Sequence, residues 1–209
     1  MTPPAAAAPG KAGAAQEGSK DRILSATAAL VRERGLDGTT IAAVCARSGL
    51  PVSSIYWHFE DKDALFAEVL HTSYTSWLAA APLGEGAAGS RDLAEVLESA
   101  IRSLQGMPDF LVVGMQLLLE RRDQYERARV LFSEIRAQIA GMITAWLLEA
   151  LRPHPDPLLA QDLSRLVVAF SDGALVAAQV DEGFDVEVYV QLFLGTFVRA
   201  ARRHSERRS

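Results

Sequence analysis

The chain has 209 residues, of which 49% are hydrophobic and 22% are charged, and its formal net charge at pH 7 is −5. This length can bury a sizeable core, and the acidic balance argues against a general nucleic-acid binder, because non-specific binding requires many cations to neutralise phosphates. The single cysteine, Cys45, excludes an intrachain disulfide, and we expect it to act as a small apolar side chain.

The amino-terminal residues 1–18 are rich in alanine, proline and glycine and lack the continuous apolar core of a secretion signal. We predict that they form a disordered arm. The longest apolar run further along the chain, Ile139 to Leu148, has about half the length that a membrane helix needs. We therefore expect a cytoplasmic protein without a membrane partner.

A short helix, a glycine turn and a second short helix follow one another between Thr39 and Leu65. Thr40 can cap the first helix, in which apolar groups recur at helical spacing. Gly49 accepts the left-handed conformation that ends a helix, and Pro51 has the φ angle suited to the start of the next one. This order predicts a helix-turn-helix, whose second helix would enter the major groove of DNA.

The second helix can bury Ile55 and Phe59, which lie four residues apart and therefore share a face. The other side chains of this helix divide between partial burial and an outward face: Val52, Ser53, Ser54, Tyr56, Trp57 and His58. Because three ring-bearing residues are consecutive, at least one of them must be exposed.

This region resembles the signature of the tetracycline-repressor (TetR) family, and the resemblance covers roughly residues 19–65. It is carried by Gly49, by Ser54-Ile55-Tyr56-Trp57-His58-Phe59, and by Lys62 and Leu65. The resemblance implies an all-helical dimer with an amino-terminal DNA-binding domain and a larger domain whose cavity binds a small molecule that weakens DNA binding. It also implies DNA contacts, mostly with phosphate, from Thr40, Ser54, Tyr56, His58 and Lys62.

Base reading would then fall to Val52, Ser53 and Trp57, with Ala42 on the preceding helix, because apolar groups contact thymine methyl groups and hydroxyls bond base edges. The second helix contains no arginine or glutamine, so bidentate contacts with bases require Arg47 to reach the groove. A local positive field would have to come from a few cations on one side of the domain: Lys20, Arg22, Arg47 and Lys62.

Each of these side chains also has an ordinary structural interpretation. Tyr56 and Trp57 can pack internally, as aromatic side chains at helical spacing often do. His58 can serve as a structural hydrogen-bond donor, and Lys62 can be a solvated charge between two aspartates.

Helical periods continue beyond Leu65, and we predict helices at residues 62–80, 91–104, 109–122, 125–151, 157–180 and 186–204, with no strand. The expected fold is all-α. An amino-terminal three-helix helix-turn-helix domain would occupy residues 19–66, and a larger helical ligand-binding and dimerisation domain would occupy residues 67–209.

Apolar and small side chains recur at alternating three- and four-residue spacing in the last two helices: Leu163, Leu166, Phe170, Ala174, Ala177, Tyr189, Phe193 and Phe197. Two wide stripes in succession exceed what one subunit can cover, so we predict a homodimer built through a four-helix bundle. The alternative is that both stripes face only the chain's own middle helices. A dimer would require a near-palindromic operator in double-stranded DNA.

Large or adaptable apolar side chains in the middle helices can line a cavity for a small-molecule effector: Trp77, Phe110, Met115, Leu118, Trp146 and Phe170. Gln116 and Asp172 are among the polar residues that could complete it. Such a composition favours an apolar or aromatic effector, although the same residues can equally be plain core.

We therefore expect a ligand-responsive repressor, and the alternative is a helical small-molecule-binding protein without specific DNA binding. The sequence contains no metal-spaced histidine pair, glycine-rich phosphate loop or nucleophile elbow. We expect neither an enzyme nor a bound metal or cofactor.

Overall fold

The computed structural model describes residues 11–80, 98–99, 101–104, 106–120, 123–150 and 156–207. Its helices of seven residues or more are α1 (Lys11–Gly38), α2 (Ile41–Ser48), α3 (Val52–His58), α4 (Lys62–Ala80), α5 (Asp109–Glu120), α6 (Glu126–Ala150), α7 (Pro157–Val180) and α8 (Val186–Arg207). A 3-10 turn at Asp123–Tyr125 precedes α6. No strand occurs within these ranges, and the predicted all-α class is confirmed.

Two predicted elements differ from what the structure shows. The predicted disordered arm is helical from Lys11 onward, because residues 11–18 contain alanine, lysine, glutamine and glutamate, which favour helix, whereas residues 1–10 lie outside the described residues. The helix predicted at residues 91–104 also falls largely outside them, although residues 98–99 and 101–103 are helical.

Helix α1 bends near its carboxyl end at Gly35, whose φ of 71° and ψ of −177° interrupt the helical geometry. A positive φ favours glycine, because a Cβ atom would strain this conformation. The Thr39 hydroxyl donates to the Gly35 carbonyl at 2.8 Å, and the Lys62 ammonium donates to the Leu36 carbonyl at 2.7 Å. These bonds supply partners for carbonyl groups at a helix end.

The chain divides into two compact units, and the first consists of Met1–His71 with Asp109–Leu131. It contains α1, α2, α3, the first part of α4, α5 and the first turn of α6. Its core consists of side chains that are almost completely shielded from solvent: Ile23, Leu30, Leu36, Ile55, Leu65, Phe66 and Phe110.

The second unit consists of Thr72–Pro108 with Phe132–Ser209. Its core includes Ile101, Phe132, Ile135, Leu147, Ala160, Val190 and Leu194. Helices α6 and α7 are joined by a two-bond ion pair between Arg136 and Asp172, with N–O distances of 3.0 and 2.6 Å. Helices α7 and α8 are joined by the rings of Phe170 and Phe193, whose centroids lie 3.9 Å apart.

By length and composition, α7 is the one helix in the described ranges that could cross a membrane, and only 28% of its most apolar window is buried. The run from Ile139 to Leu148 is therefore not the most extensive apolar segment. Core helices and interface helices of soluble proteins pass the same test, since all three environments select apolar side chains. The side chains that α7 exposes to solvent therefore help to distinguish a membrane helix from a core or interface helix.

Candidate DNA-binding surface

Helices α2 and α3 form the predicted helix-turn-helix. The Thr40 hydroxyl accepts a hydrogen bond from the Ala43 amide at 3.1 Å and caps α2 as predicted. At the other end of α2, Gly49 has a φ of 66° and its amide donates to the Cys45 carbonyl at 2.9 Å. Pro51 starts α3 in an extended conformation without a side-chain cap. The turn is therefore fixed by local backbone geometry.

Helix α3 separates its side chains into a buried and an exposed face. Ile55 and Phe59 are buried as predicted, whereas Val52, Tyr56 and Trp57 have exposed fractions of 51%, 56% and 65%. Together with the exposed Ser53, these three residues are called the recognition face below. The internal packing considered for Tyr56 and Trp57 does not occur here. Large apolar side chains grouped on the surface are typical of a binding site.

Ser54 and His58 lie at the margin of the recognition face and are half-buried. With Ser19, Ser53 and Trp57 they line an open groove of about 300 Å³. The His58 and Trp57 rings meet edge to face, with centroids 4.7 Å apart and an interplanar angle of 89°. This contact restricts the indole to a defined position, which a base-contacting side chain requires.

Arg47 is paired with an acidic side chain of the same unit. Its guanidinium forms two bonds of 2.6 Å with the carboxylate of Glu33. This hydrogen bond lowers the pKa of Glu33 and raises the pKa of Arg47. The ion pair is therefore complete above the ordinary pKa of a glutamate and is lost only on acidification through the lowered value. A base contact by Arg47 stays a prediction, and it would require this ion pair to open.

Lys62 also points into the protein and is half-buried. In addition to its bond with the Leu36 carbonyl, its ammonium lies 5.2 Å from the ring centroid of Phe66 and 5.3 Å from that of Tyr125. A cation held by a carbonyl and two ring faces is stabilised where it is. These contacts indicate a structural role for Lys62, and its predicted phosphate contact stays a prediction.

The remaining two cations of the expected positive field are paired as well. Lys20 forms an ion pair with Glu68, and the Arg22 guanidinium donates to the Ser48 carbonyl at the end of α2. The cations expected to gather beside the recognition face are thus largely occupied by partners within the first unit. Because salt weakens DNA binding in proportion to the phosphates neutralised, such a surface predicts a shallow salt dependence.

Asp63 anchors the segment that follows α3 to the first turn of α6. Its carboxylate accepts hydrogen bonds from the amides of Arg127 at 2.9 Å and Ala128 at 2.8 Å. Arg127 also reaches the Glu60 carboxylate at 3.3 Å. Sequence reasoning missed this contact, because the partners of Asp63 lie 64 and 65 residues away in the sequence. An acidic group at a helix amino-terminus is favourable electrostatically.

The six predicted ligand-binding side chains are divided between the two units. Phe110, Met115 and Leu118 lie on α5 of the first unit, and the others belong to the second. Phe110 is completely buried. In the second unit the indole nitrogen of the buried Trp77 donates to the Ser103 hydroxyl at 2.9 Å. Trp146 is buried as well, and Phe170 stacks on Phe193.

Two further observations bear on a ligand site. A cavity of about 380 Å³ lies at the turn between α7 and α8 and is lined by residues other than the six candidates: Leu175, Ala178, Gln179, Phe184, Asp185, Val186 and Glu187. Of the predicted polar residues, Asp172 is paired with Arg136, whereas the buried Oε1 atom of Gln116 has no hydrogen-bond partner. The Nε2 atom of Gln116 donates to the Val31 carbonyl at 3.4 Å, and because a buried acceptor without a partner is costly, its Oε1 atom favours a contact with a water molecule or a ligand.

The predicted dimer residues fall into two groups. Ala174 and Phe197 are buried within the second unit, so they cannot form a surface for a partner, and Phe170 and Phe193 are half-buried against each other. Leu163 and Ala177 are half-buried, whereas Leu166 and Tyr189 are exposed. The exposed apolar side chains of α7 and α8, called the carboxyl-terminal apolar face below, are Leu158, Leu166, Val176, Val180, Val188, Tyr189 and Leu192.

Comparison with known proteins supports the interpretation of the first unit. Residues 23–69 match the family model described as bacterial regulatory proteins, tetR family. An HTH-type transcriptional regulator of Mycobacterium tuberculosis is 29% identical over 172 residues, which cover 78% of this chain and 86% of that protein. The match therefore extends well beyond the helix-turn-helix.

Solved structures resemble the fold over most of its length. A putative TetR transcriptional regulator from Streptomyces avermitilis has a TM-score of 0.68 and 26% identity, covering 88% of this chain and 97% of its own. A putative transcriptional regulator from Saccharomonospora viridis, solved in complex with choline, has a TM-score of 0.70 and 18% identity, covering 88% of this chain and 96% of its own.

Proposed function

The chain belongs to the TetR family of transcriptional regulators, which are not enzymes, and on this premise we propose that it is a ligand-responsive repressor that binds a near-palindromic operator as a homodimer. The observation that carries the proposal is the recognition face, on which Val52, Ser53, Tyr56 and Trp57 are exposed while Ile55 and Phe59 hold α3 to the core. A face of this kind matches the role of a recognition helix in the major groove. Its place of action would be the cytoplasm, where the DNA lies.

Contacts with phosphate would come mainly from hydroxyl and imidazole donors. The exposed Thr40 and Tyr56 carry hydroxyls, and His58 and Ser54 stand beside them at the margin of the recognition face. Such groups bond phosphate oxygens at short range and fix the register of the protein on the duplex. This division leaves base recognition to the rest of the recognition face.

A second copy of the chain is the proposed partner of the carboxyl-terminal apolar face. Gly173 and Gly195 lie exposed on α7 and α8, where small side chains let helix axes approach closely. The exposed ion pair between Asp162 and Arg165 on α7, at 3.0 Å, is costly in lipid and acceptable at the rim of a protein interface. The exposed ion pair therefore favours a dimer interface over membrane insertion of α7.

The proposed effector is a small, largely apolar or aromatic molecule. In the first unit its candidate binding side chains are Phe110, Met115 and Leu118, to which Gln116 can add a polar contact through its Oε1 atom. In the second unit the candidates are Trp77, Trp146 and Phe170. The Asp63 contact with α6 offers a route by which a displacement of α6 reaches the segment after α3. Coupling between effector and DNA of about 1–3 kcal/mol would suffice for regulation.

Enrichment of duplexes from a random-sequence pool by the purified protein tests this proposal. We expect an inverted repeat, bound with two chains per duplex, and a loss of affinity on replacing Tyr56 by alanine. Leu119→Ala on α5 is the matched control, because Leu119 is also a large exposed side chain. Failure to enrich any sequence would contradict the proposal. It would favour the alternative, a helical small-molecule-binding protein without specific DNA binding, which is also supported by the pairing of the cations near α3 with partners in the same unit.

The paired state of Arg47 leads to a separate prediction. Glu33→Gln removes the charge that holds the Arg47 guanidinium, and the freed cation becomes available to phosphate. We expect binding to random and enriched duplexes to increase alike, and the slope of log affinity against log salt to steepen by about one. Fluorescence anisotropy at several salt concentrations measures both. An unchanged slope would mean that Arg47 lies out of reach of DNA.

A further inference from the structure

The recognition face carries an unusual set of chemical groups for sequence recognition. Its four residues offer an isopropyl group, a hydroxyl, a phenol and an indole, and the whole of α3 contains no amide, guanidinium or carboxylate side chain. On the preceding helix, the exposed Ala42 and Ala46 add only methyl groups. The groups available for contact with base edges are therefore mostly apolar.

The guanidinium groups near the recognition face add no free donor for a base edge. Arg47 is held by two bonds to Glu33, so it does not project as a free fork toward a base. The Arg22 guanidinium is held by the Ser48 carbonyl. Arginine or lysine is the usual partner of guanine, asparagine or glutamine of adenine, and an acidic side chain of cytosine. None of these pairings is offered by the recognition face.

Thymine is the one base whose major-groove edge carries an apolar group, the C5-methyl. We propose that this chain selects its DNA through thymine C5-methyl groups, contacted by Val52 and Trp57, and so prefers A·T pairs at the positions that α3 covers. The hydroxyl of Ser53 and the indole N–H of Trp57 add bonds to acceptors that both purines and thymine present, and these bonds discriminate weakly between bases. This inference rests on the proposed function, since it names the class of DNA that the recognition face selects.

The test uses a duplex enriched from a random pool by the wild-type protein, and the same duplex with thymine replaced by deoxyuracil at one position at a time. Deoxyuracil keeps the base pair and removes only the methyl group. We expect a loss of about fourfold for each contacted methyl group, the factor that burial of one such group implies. Replacement of guanine by 7-deazaguanine, which removes the N7 acceptor, serves as the control and should leave affinity almost unchanged.

A protein variant identifies the side chain that contacts each methyl group. Val52→Ala should weaken binding to the duplex that contains thymine. When deoxyuracil replaces the thymine that Val52 contacts, the variant should bind as the wild type does, because the methyl contact is already absent. Trp57→Phe should behave in the same way at a different position. Leu119→Ala should bind both duplexes as the wild type does. Thermal unfolding monitors the fold of each variant.

The possible outcomes separate this inference from the function on which it rests. Enrichment of a sequence that tolerates deoxyuracil everywhere but not 7-deazaguanine would overturn thymine-methyl recognition and leave the operator-binding proposal standing. Enrichment of no sequence would overturn both. Position-specific loss with deoxyuracil, removed by Val52→Ala or Trp57→Phe, supports the inference.

Discussion

Replacing Leu192 by glutamate is expected to convert the dimer into a monomer and to lower operator affinity by about 10²-fold or more. Leu192 lies on α8 with an exposed fraction of 61%, on the same side of the helix as the exposed Val188 and Gly195. A carboxylate buried at an apolar interface loses its hydration without gaining a partner. A monomer then offers one recognition face, and the gain from simultaneous binding of two half-sites is lost.

Light scattering of the free protein and anisotropy with the enriched duplex measure the two consequences. Leu119→Glu is the matched control, because Leu119 has an exposed fraction of 80% and lies outside the carboxyl-terminal apolar face. This control should keep the mass of a dimer and the wild-type affinity. A Leu192→Glu protein that remains a dimer would show that another surface joins the subunits.

The second large effect concerns Lys62, whose contacts within the protein indicate a structural role. Lys62→Met retains the long apolar stem and removes the ammonium that binds the Leu36 carbonyl and faces Phe66 and Tyr125. We expect the free energy of unfolding, measured with urea, to decrease by about 2 kcal/mol, since a charged hydrogen bond and cation–π contacts are lost. The salt dependence of DNA binding should keep its slope.

Lys20→Met provides the comparison, because Lys20 is also paired but lies in a more exposed ion pair with Glu68. Removal of such a pair costs about 1 kcal/mol or less. The structural role of Lys62 would be contradicted if Lys62→Met unfolded like the wild type while the salt slope fell by about one, as loss of a phosphate contact requires.

Features of the site that depend on neighbouring residues could be predicted from the sequence. Thr40 caps α2 through an amide three residues away, and Gly49 ends it through a carbonyl four residues away. The burial of Ile55 and Phe59 follows from their spacing alone. Because these contacts join residues that are close in the sequence, a few residues suffice to predict the turn and the side of α3 that faces the core.

The roles of charged side chains could not be predicted in the same way. Lys62 and the Leu36 carbonyl are 26 residues apart, and the partners of Asp63 are more than twice as distant. Arg47 meets Glu33 only because α1 and α2 pack side by side. The sequence shows that a lysine or arginine lies near the recognition helix, but it does not show whether that side chain contacts phosphate or a carbonyl of its own chain.

The two carboxyl-terminal helices illustrate a limit of periodicity. Their spacing correctly identifies apolar stripes, but it does not say which edge of a stripe the chain's own residues cover. Ala174 is buried whereas Val176 is exposed, and Phe197 is buried whereas Leu192 is exposed. Each residue of an α-helix rotates the side-chain direction by about 100°, so side chains two or five residues apart point to nearly opposite sides of the helix.

Affinity cleavage from the recognition face would show whether α3 lies in the major groove of an operator at two symmetric half-sites. A Ser53→Cys protein in a Cys45→Ser background can carry an iron chelate that cleaves DNA near its point of attachment, and a Glu182→Cys protein, modified at the exposed turn between α7 and α8, serves as the control. The account predicts cleavage of the enriched duplex at two symmetric positions about one helical turn, or 10 base pairs, apart. Absence of cleavage from residue 53, or the same pattern from residue 182, would contradict it.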